Sequence, residues 1–475
     1  MSDEIFLGLD LATAGARLHA VTSQGKVLTE RSLPLPPTQA PARGHVEQLP
    51  TYLEVARDLI RHVSADLGRR VGAVRALSIT GTSGTVVPCA RDGRPTGSAI
   101  LYNDQRAWAQ AEHLSDAGFP STATSPLARI GWLEANAPAR LYLHTPDVVA
   151  TGLLGRVPPA DTSHALKAGI DPVAAGWDTQ QLDVLGILPR RLPDLVHPGT
   201  ELGVVCADAA AETGLPAGVT VIAGMTDGCT AQIGAGAVRI GDTVGMLGTT
   251  LVLKAVSVEA VTGYDGAVYS HYAPDGSYWP GGASNVGADV IRSEFGNRDL
   301  TELEALADRH GVASAVRYPL PTVGERFPFN RPKAEGFILG EATTPGAAYR
   351  ALLEGVAFAE RLGLEALAAL GVKVVSHRIA GGGSQSRLWN RIRATVLDRP
   401  VTRPANASSG YGAAVLALAS HTRSSLIDVV ATTEQTAEVI DPDASQTEGL
   451  QRNFERLCEE LSRRGYLNTA YQKQI

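Results

Sequence analysis

The stretch that most constrains the fold lies near the start of the chain, where an apolar run leads into a carboxylate and a small polar turn. Residues 5–21 read I-F-L-G-L-D-L-A-T-A-G-A-R-L-H-A-V. The apolar run reaches Asp10, the turn holds Thr13, Ala14 and Gly15, and the residues after it alternate between apolar and polar. This pattern predicts a β-hairpin whose tip carries a carboxylate, a hydroxyl and unshielded backbone N–H groups.

Such a tip suits a magnesium–polyphosphate, which needs an oxygen ligand near the metal and amides facing the phosphates. The alternative is an ordinary edge hairpin in which Asp10 only forms the turn, because Asp and Gly are common turn residues. The hairpin alone leaves both interpretations open, so the rest of the chain has to decide between them.

Length and composition limit the possible classes of protein. A chain of 475 residues is too long for one ordinary core, so two or three domains are expected. With 44% hydrophobic and 19% charged residues it is a folded protein, and the net charge of -7 gives no basic footprint for nucleic acid or anionic membrane. The 50 glycines and few aromatic residues suit an α/β protein with tight strand-to-helix turns.

The sequence also carries expectations about the compartment. No apolar stretch is long enough to span a bilayer, and the first residues lack the basic region of a signal peptide. The scattered cysteines have neither metal-site nor disulfide spacing, which predicts free thiols in a reducing cytoplasm. They are Cys89, Cys206, Cys229 and Cys458.

Two polar turns follow predicted strands in the first part of the chain. The strand Val74–Thr80 opens into G-T-S-G-T, with Thr82 and Ser83, and a later strand ends in N-D-Q-R, with Asn103 and Asp104. These side chains can hydrogen-bond a polyol. Alternatively, the first turn simply needs glycine. In the second turn, Asp104 and Arg106 can form a pair that stiffens the loop, and for Arg106 this structural role comes first.

Two later segments differ in what they predict. Residues 161–171, D-T-S-H-A-L-K-A-G-I-D, are polar and are expected at the surface. Residues 219–223, V-T-V-I-A, form a buried type of strand that opens into G-M-T-D-G, where Asp227 stands between small residues before a helix. Glycine there lets a substrate approach closely, although Asp227 as a plain helix cap is a serious alternative.

The second half repeats part of the opening pattern. Residues 242–254 read strand, Gly248–Thr250 turn and strand, which suggests two similar halves. A strand then enters Gly381–Gly383 at a helix start, where bare backbone can accept a flat ring with Trp389 beside it, although Trp389 alone more often belongs to a core. Thr344 and Pro345 predict the start of a long amphipathic helix that Gly371 closes.

Taken together, these features suit phosphoryl transfer, which needs positioning, charge neutralisation and a base for the acceptor hydroxyl. The chain contains no G-x-x-x-x-G-K-S/T loop and no protein-kinase motif set, so those nucleotide folds are excluded.

At this point the sequence resembles the FGGY carbohydrate kinases, a branch of the actin-like ATPase superfamily. The matching stretches occur in family order: G-L-D-L-A-T-A-G-A-R, G-T-S-G-T, N-D-Q-R, G-M-T-D-G, L-G-T-T-L-V-L-K, G-G-A-S-N-V-G-A-D and A-G-G-G-S-Q-S-R-L-W. Within the family, D-T-S-H-A-L-K-A-G-I-D-P, Y-S-H-Y-A-P-D-G-S-Y-W-P-G-G-A-S-N and G-E-R-F-P-F look most like the D-ribulose kinase group.

The resemblance implies an α/β fold with two ribonuclease-H-like domains around a central cleft. Residues 1–236 would form the sugar-binding domain and 237–475 the ATP-binding domain, with the last helices able to pack back on the first domain. It implies ATP and Mg²⁺ as cofactors, a small-molecule sugar as partner, no nucleic acid or membrane, a cytoplasmic location and a monomer or homodimer.

The resemblance also assigns roles. Asp227 matches the catalytic base, and Asp10 matches the carboxylate that helps to hold magnesium, through water, and the substrate. The implied sugar contacts are Asp10, Thr82, Ser83, Asn103, Asp104 and Asp227. The implied ATP contacts are Thr13, Ala14, Gly15, Gly248, Thr249, Gly281, Gly282, Gly381, Gly382, Gly383, Ser386 and Trp389.

The predicted reaction is ATP-dependent phosphorylation of D-ribulose to D-ribulose 5-phosphate, with D-xylulose or another pentulose or polyol as the alternative. The chain departs from the family at Ala12 and Ala14, where Gly and Ser are usual, and at Ser386, where Asn is common. These departures keep open a weakly active kinase or a non-catalytic sugar- or nucleotide-binding regulator on the same fold. An ATPase of the heat-shock or actin kind would need a peptide-binding or polymer surface, which nothing in the sequence suggests.

Overall fold

The protein is an α/β protein, as expected, and it divides into two compact units. The computed structural model describes residues 4–263, 266–433 and 436–467. Within these, the first unit takes residues 4–234, 271–276 and 408–433. The second unit takes residues 235–263, 266–270, 277–407 and 436–467. The chain therefore returns twice to the first unit after leaving it at Gly234.

The first unit is built on a six-stranded sheet that contains the predicted hairpin. In spatial order the strands are Glu201–Val204, Thr220–Ile222, Val74–Gly81, Ile5–Leu11, Gly15–Thr22 and Val27–Pro34. The second, third and fourth strands in this order run parallel, and the remaining pairings are antiparallel. The hairpin forms because apolar residues lie on both faces of Ile5–Leu11, which is buried along most of its length.

Helices and short strand pairs surround this sheet. The helices of the first unit are Tyr52–Leu67, Trp108–Asp116, Pro126–Asn136, Thr145–Leu154, Thr162–Ala165, Thr179–Val184, Ala207–Thr213, Asp227–Gly234, Ser409–Thr422 and Leu426–Thr433. The short pairs are Glu47–Gln48 with Ala99–Ile100, Val87–Cys89 with Leu141–Leu143, Ala160–Asp161 with Leu195–Val196, and Ile170–Asp171 with Gly176–Trp177.

The second unit is built on a seven-stranded sheet, although residues 271 and 272 at the end of its edge strand are counted with the first unit. In spatial order the strands are Tyr269–Tyr272, Tyr278–Ser284, Leu251–Ala255, Asp242–Leu247, Ser376–Ala380, Val401–Pro404 and Thr436–Ile440. Its helices are Asp289–Phe295, Leu300–His310, Pro345–Ala369, Arg387–Leu397 and Thr447–Arg463, with a short pair Val316–Tyr318 and Phe337–Leu339. The helix predicted after Thr344 begins at Pro345, and the Thr344 side chain caps it by accepting from the Ala347 N–H.

The expectation that residues 161–171 lie at the surface is wrong for their first half. Asp161, Ser163 and His164 are 4%, 1% and 0% exposed. The segment tolerates burial because its polar groups bond to one another: Asp161 caps the Thr162–Ala165 helix and pairs with the His164 ring at 2.7 Å. Periodicity along the chain carries no information about such pairing.

Two expectations about the compartment can be compared with the structure. The four cysteines all lie in the described part of the chain and are free thiols, as predicted. Within residues 4–263, 266–433 and 436–467, no helix has the length and apolar character to cross a membrane. Residues 1–3, where a signal peptide would begin, lie outside the described residues.

Candidate active site

Asp10 and Asp227 meet at one edge of the first unit's sheet. Strands Ile5–Leu11, Val74–Gly81 and Thr220–Ile222 run parallel, so their carboxyl ends share an edge. Asp10 stands at the end of the first strand, and Asp227 follows the third at the start of the Asp227–Gly234 helix. The edge of this sheet therefore brings together two carboxylates that are far apart in sequence.

The surroundings of Asp10 disfavour its charged form. Burial and, secondarily, the negative charge of Asp227 raise the pKa of Asp10 from 3.8 to about 7, while Arg17 and a hydrogen bond from Ser409 act in the opposite direction. Among the described residues, the buried Oδ1 atom of Asp10 has no hydrogen-bond partner. A buried carboxylate oxygen with this environment is suited to a cation or to a proton-donating ligand.

Asp227 is held by the backbone that leads to it. The Thr80 hydroxyl donates to the Met225 carbonyl at 2.6 Å, and the Thr226 N–H donates to the Ser163 hydroxyl at 3.2 Å. The Asp227 carboxylate accepts from the Gly228 N–H at 2.7 Å. Asp227 also lies in the first turn of its helix, where the helix dipole stabilises negative charge.

Ser409 reaches Asp10 because the Ser409–Thr422 helix packs very closely on the hairpin. A β-carbon on Gly8 would lie 1.9 Å from the Gly410 carbonyl oxygen, so only glycine allows this approach. Sequence reasoning missed Ser409, since no local signal links it to the start of the chain. Arg17 was also missed, although the hairpin register, which pairs it with Asp10, was a usable signal.

The turn at residues 81–85 presents two hydroxyls beside this edge. Thr82 is half-buried and its N–H donates to the Leu11 carbonyl at 3.2 Å, which ties the turn to the hairpin. The Ser83 hydroxyl is buried and, within the described residues, has no hydrogen-bond partner. Both predicted sugar contacts therefore lie beside the strand end that carries Asp10, and Ser83 has hydrogen-bonding capacity to offer.

The two predicted sugar contacts in the N-D-Q-R loop differ in exposure. Asn103 is exposed, whereas Asp104 is fully buried and accepts from the Val46 N–H at 2.6 Å and from the Arg106 guanidinium at 2.8 Å. Arg106 also pairs with Glu47 at 2.7 Å. The structural role expected for Arg106 is confirmed, and Asp104 supports the loop from inside instead of facing a ligand.

The second unit carries its own hairpin tip. Thr249 is exposed and Gly248 half-buried, and the Gly248 N–H donates to the Thr250 carbonyl at 3.0 Å. In the first unit, Thr13, Ala14 and Gly15 are likewise half-buried or exposed. Each tip therefore has backbone and hydroxyl groups at the surface of its own unit.

The glycine turn after Ser376–Ala380 has one open position. Gly381 has a φ of +82°, which favours glycine, and Gly383 is buried against Leu247. Gly382 is exposed, and among the described residues no atom lies within 4 Å of a β-carbon built there. Ser386 caps the following helix by accepting from the Trp389 N–H at 3.1 Å.

Three of the predicted ATP contacts are buried in contacts within the protein. Trp389 is 2% exposed and its indole N–H donates to the Leu353 carbonyl at 3.0 Å, so it belongs to the core. Gly281 and Gly282 are buried, and a β-carbon on Gly282 would lie 2.6 Å from the Phe327 ring. The structure does not bring these three residues to the surface where Gly382 lies.

Sequence comparison identifies the architecture. Residues 5–234 match the N-terminal domain of the FGGY family of carbohydrate kinases, and residues 243–421 match its C-terminal domain. The chain belongs to the FGGY family. An FGGY protein of this kind is a carbohydrate kinase, whose substrates are a sugar and ATP.

Named relatives span nearly the whole FGGY chain. An L-fuculokinase of Escherichia coli K12 is 27% identical over 84% of this chain and 89% of its own length. A xylulose kinase of the same strain is 26% identical over 90% of this chain and 92% of its own. A solved xyloylose kinase from Brucella ovis superposes with a TM-score of 0.89 at 25% identity, covering 98% of this chain and 100% of that one.

The residues of this FGGY kinase are compatible with a magnesium ion. The unpartnered Oδ1 of Asp10 and the neighbouring charge of Asp227 leave local negative potential for a cation to offset. In the described residues, no cluster of three or more His, Cys, Asp or Glu side chains could hold a metal. Magnesium commonly binds through one or two carboxylates, water and substrate phosphates, which fits Asp10 as a sole or shared protein ligand.

Proposed function

We propose that this carbohydrate kinase transfers a phosphoryl group from ATP to a ketopentose, with D-ribulose as the first candidate. The observation that carries the proposal is the meeting of Asp10 and Asp227 at the edge beside the Thr82–Ser83 turn. One carboxylate has a raised pKa and an unpartnered oxygen, and the other is fixed at a helix start. Phosphoryl transfer to an alcohol needs a base for the hydroxyl and a group that organises the metal and phosphate, and such a pair can fill both roles.

In the proposed reaction, Asp227 accepts the proton of the sugar hydroxyl as that oxygen attacks the terminal phosphorus of ATP. The bond from phosphorus to the bridging oxygen breaks, and ADP leaves. Asp10 orients the sugar and holds Mg²⁺ through water, and the ion when bound neutralises phosphate charge. Thr82, Ser83 and Asn103 bind sugar hydroxyls.

We assign the sugar to the domain at residues 1–236 and ATP to the domain at 237–475. The open backbone at Gly382 supports the nucleotide assignment, because a flat base can lie there without meeting a side chain. The proposed phosphate contacts are Thr13, Ala14, Gly15, Gly248 and Thr249, and the proposed base contacts are Gly381, Gly382, Gly383 and Ser386. We further propose a cytoplasmic monomer or homodimer.

The choice of D-ribulose comes from the resemblance of the middle stretches to the D-ribulose kinase group. D-xylulose is the second candidate, because curated relatives spanning most of the chain are named xylulose kinases. The two sugars differ only in the configuration of one carbon. A buried hydroxyl that loses its partner costs about 1–3 kcal/mol, so a site built from hydroxyl and amide groups can separate them by roughly 5- to 150-fold.

The test is a comparison of kcat/KM at fixed MgATP for D-ribulose, L-ribulose, D-xylulose, ribitol, glycerol and L-fuculose. The expected result is D-ribulose first by at least fivefold over D-xylulose. If D-xylulose ranks higher, the sugar assignment is wrong and the kinase assignment stands. If a folded protein that binds ATP phosphorylates none of them, the regulator interpretation replaces the proposal.

A further inference from the structure

A buried set of nitrogen donors supports the turn at residues 81–85 from beneath. His164 Nε2 lies 3.1 Å from the Gly81 carbonyl oxygen, Arg129 donates to the Gly84 carbonyl at 2.6 Å, and His144 Nδ1 lies 3.0 Å from the Thr85 carbonyl. Arg129 and His164 are fully buried, and His144 is 6% exposed. The three donors come from different helices or their caps and hold both ends of one turn.

Both ring nitrogens of His164 have oxygen partners. Its Nδ1 lies 2.7 Å from the Asp161 carboxylate, and its Nε2 faces the Gly81 carbonyl. A carbonyl oxygen only accepts, and an ionised carboxylate only accepts, so both ring nitrogens must carry a hydrogen. Beside an ionised Asp161, His164 is therefore an imidazolium, because a neutral ring next to a carboxylate would lose one of the two bonds.

Asp161 is itself fixed by the helix that it caps. Its second oxygen accepts from the His164 N–H at 2.8 Å, so carboxylate and ring are oriented by the same short helix. Burial by itself would lower the pKa of His164, but the charge and hydrogen bond of Asp161 outweigh it and raise the pKa to about 8.

Other charged groups face this pair. Asp147 also acts to raise the pKa of His164. Burial and then the charge of Asp161 raise the pKa of Asp147 itself to about 7. Burial lowers the pKa of His144, whose ring is 6.2 Å from that of His164, to about 4, so His144 is neutral and donates through Nδ1. Arg129 adds positive charge on the His144 side.

We propose that His164, as an imidazolium held by Asp161, is a positioning residue that fixes the turn carrying Thr82 and Ser83 for the sugar. This inference rests on the proposed function, in which that turn binds sugar hydroxyls. His164 does not touch the sugar: it lies beneath the backbone and acts through the Gly81 carbonyl. Losing the side chain or its proton loosens the turn, which weakens sugar binding and leaves ATP binding unaffected.

The kinetic test compares His164→Gln with the control His113→Gln, which replaces an exposed histidine on the Trp108–Asp116 helix. For His164→Gln we expect the sugar KM to rise about 10- to 100-fold, as for loss of a charge-assisted buried hydrogen bond, with the ATP KM within twofold. Asp10 titrates near pH 7 in both proteins. Beyond that shared change, the wild-type sugar KM should rise as the pH passes 8, and this second rise should be missing in His164→Gln. An unchanged sugar KM in folded His164→Gln, or an equal rise in both KM values, overturns the proposal.

Two measurements do not depend on activity. Nitrogen-15 NMR of the wild type should show both His164 ring nitrogens protonated at pH 7, with a titration near pH 8 that Asp161→Asn shifts downward by at least one unit. Amide hydrogen exchange at residues 82–86, corrected for intrinsic pH dependence, should accelerate about tenfold between pH 7 and 9 in the wild type and already at pH 7 in His164→Gln.

These measurements separate the two proposals. If no sugar is phosphorylated but His164 is doubly protonated and its loss frees the turn, the proposed function fails and the positioning role stands. A singly protonated His164 at pH 7, or exchange at 82–86 that ignores its protonation, overturns the positioning role whatever the activity. The pH series on the wild type decides the matter even if His164→Gln does not fold.

Discussion

The two units share one strand order but carry different residues at the equivalent position of the sheet. Each begins with an antiparallel hairpin, adds two parallel strands on one side and ends that side with an antiparallel strand. At the equivalent register position the first unit pairs Asp10 with Thr80, and the second pairs Met246 with Ala380. At this register position the first unit therefore has an acid beside a hydroxyl residue, and the second unit has two apolar residues.

A second contrast concerns buried acids. Asp10 has a raised pKa because burial and Asp227 both oppose its charge. In the second unit burial also acts against the charge of Glu360, but Arg393 and His377 outweigh it and lower the pKa of Glu360 to about 2. The comparison shows that Glu360 supports the fold through its cationic partners, whereas Asp10, beside a second carboxylate, is a candidate acid for a ligand.

The largest effect should come from the acid that we propose as the base. Asp227→Asn should lower kcat about 100- to 10,000-fold while sugar binding survives in part, because the amide cannot accept the proton. The matched control is Asp208→Asn, an exposed acid in the first turn of the neighbouring Ala207–Thr213 helix. Turnover close to normal in folded Asp227→Asn would remove the proposed role.

Replacing the two contrasting buried acids should change stability with opposite signs. Glu360→Gln should destabilise the protein by about 3–5 kcal/mol at pH 7, because it leaves the buried Arg393 without its carboxylate. Asp10→Asn should stabilise the ligand-free protein at pH 8 by at most about 4 kcal/mol, since it removes a charge that folding disfavours. Denaturant unfolding of both variants measures the two effects.

The pH dependence sharpens this contrast. The folded-state pKa of Asp10 is raised, so burying its protonated form adds to the free energy of unfolding. This contribution is fully present below pH 3.8 and is lost as the pH rises through about 7. Asp10→Asn should therefore match the wild type near pH 4 and exceed it above pH 7. The contribution of Glu360 to the free energy of unfolding is present above its unfolded-state pKa and is lost as the pH falls toward about 2. If both substitutions change the free energy of unfolding in the same direction at pH 8, the distinction between the two buried acids is contradicted.

The smallest effect concerns the open glycine of the second unit. Gly382→Val should raise the KM for ATP about tenfold, or about 1.4 kcal/mol, with sugar binding unchanged, because the side chain fills space proposed for the base. Gly72→Val is the control, since Gly72 in the first unit also has open space around a β-carbon. If sugar binding fails and ATP binding persists, the two sites have been assigned to the wrong units.

Local sequence determined the strands, turns and carboxylates. The hairpin at Ile5–Leu11 and Gly15–Thr22, the strand before Gly381 and the capped helix at Pro345–Ala369 follow from periodicity and glycine placement, which act over a few residues. The apolar residues at helical spacing between 47 and 67 predict an amphipathic helix. The helix begins only at Tyr52, because Glu47–Gln48 pairs with the distant strand Ala99–Ile100.

Tertiary structure decided which of the candidate site residues remain open to a ligand. Asp104, Trp389 and Gly282 have the right identity for a site, yet the Val46 amide, the Leu353 carbonyl and the Phe327 ring, all from elsewhere in the chain, occupy them. Conversely, the D-T-S-H segment looks like surface and is buried, because Asp161 and His164 neutralise each other beneath the Gly81 turn. The Asp161–His164 pair is local, but the burial of this segment beneath Gly81 comes from a contact between distant parts of the chain, which local patterns do not encode.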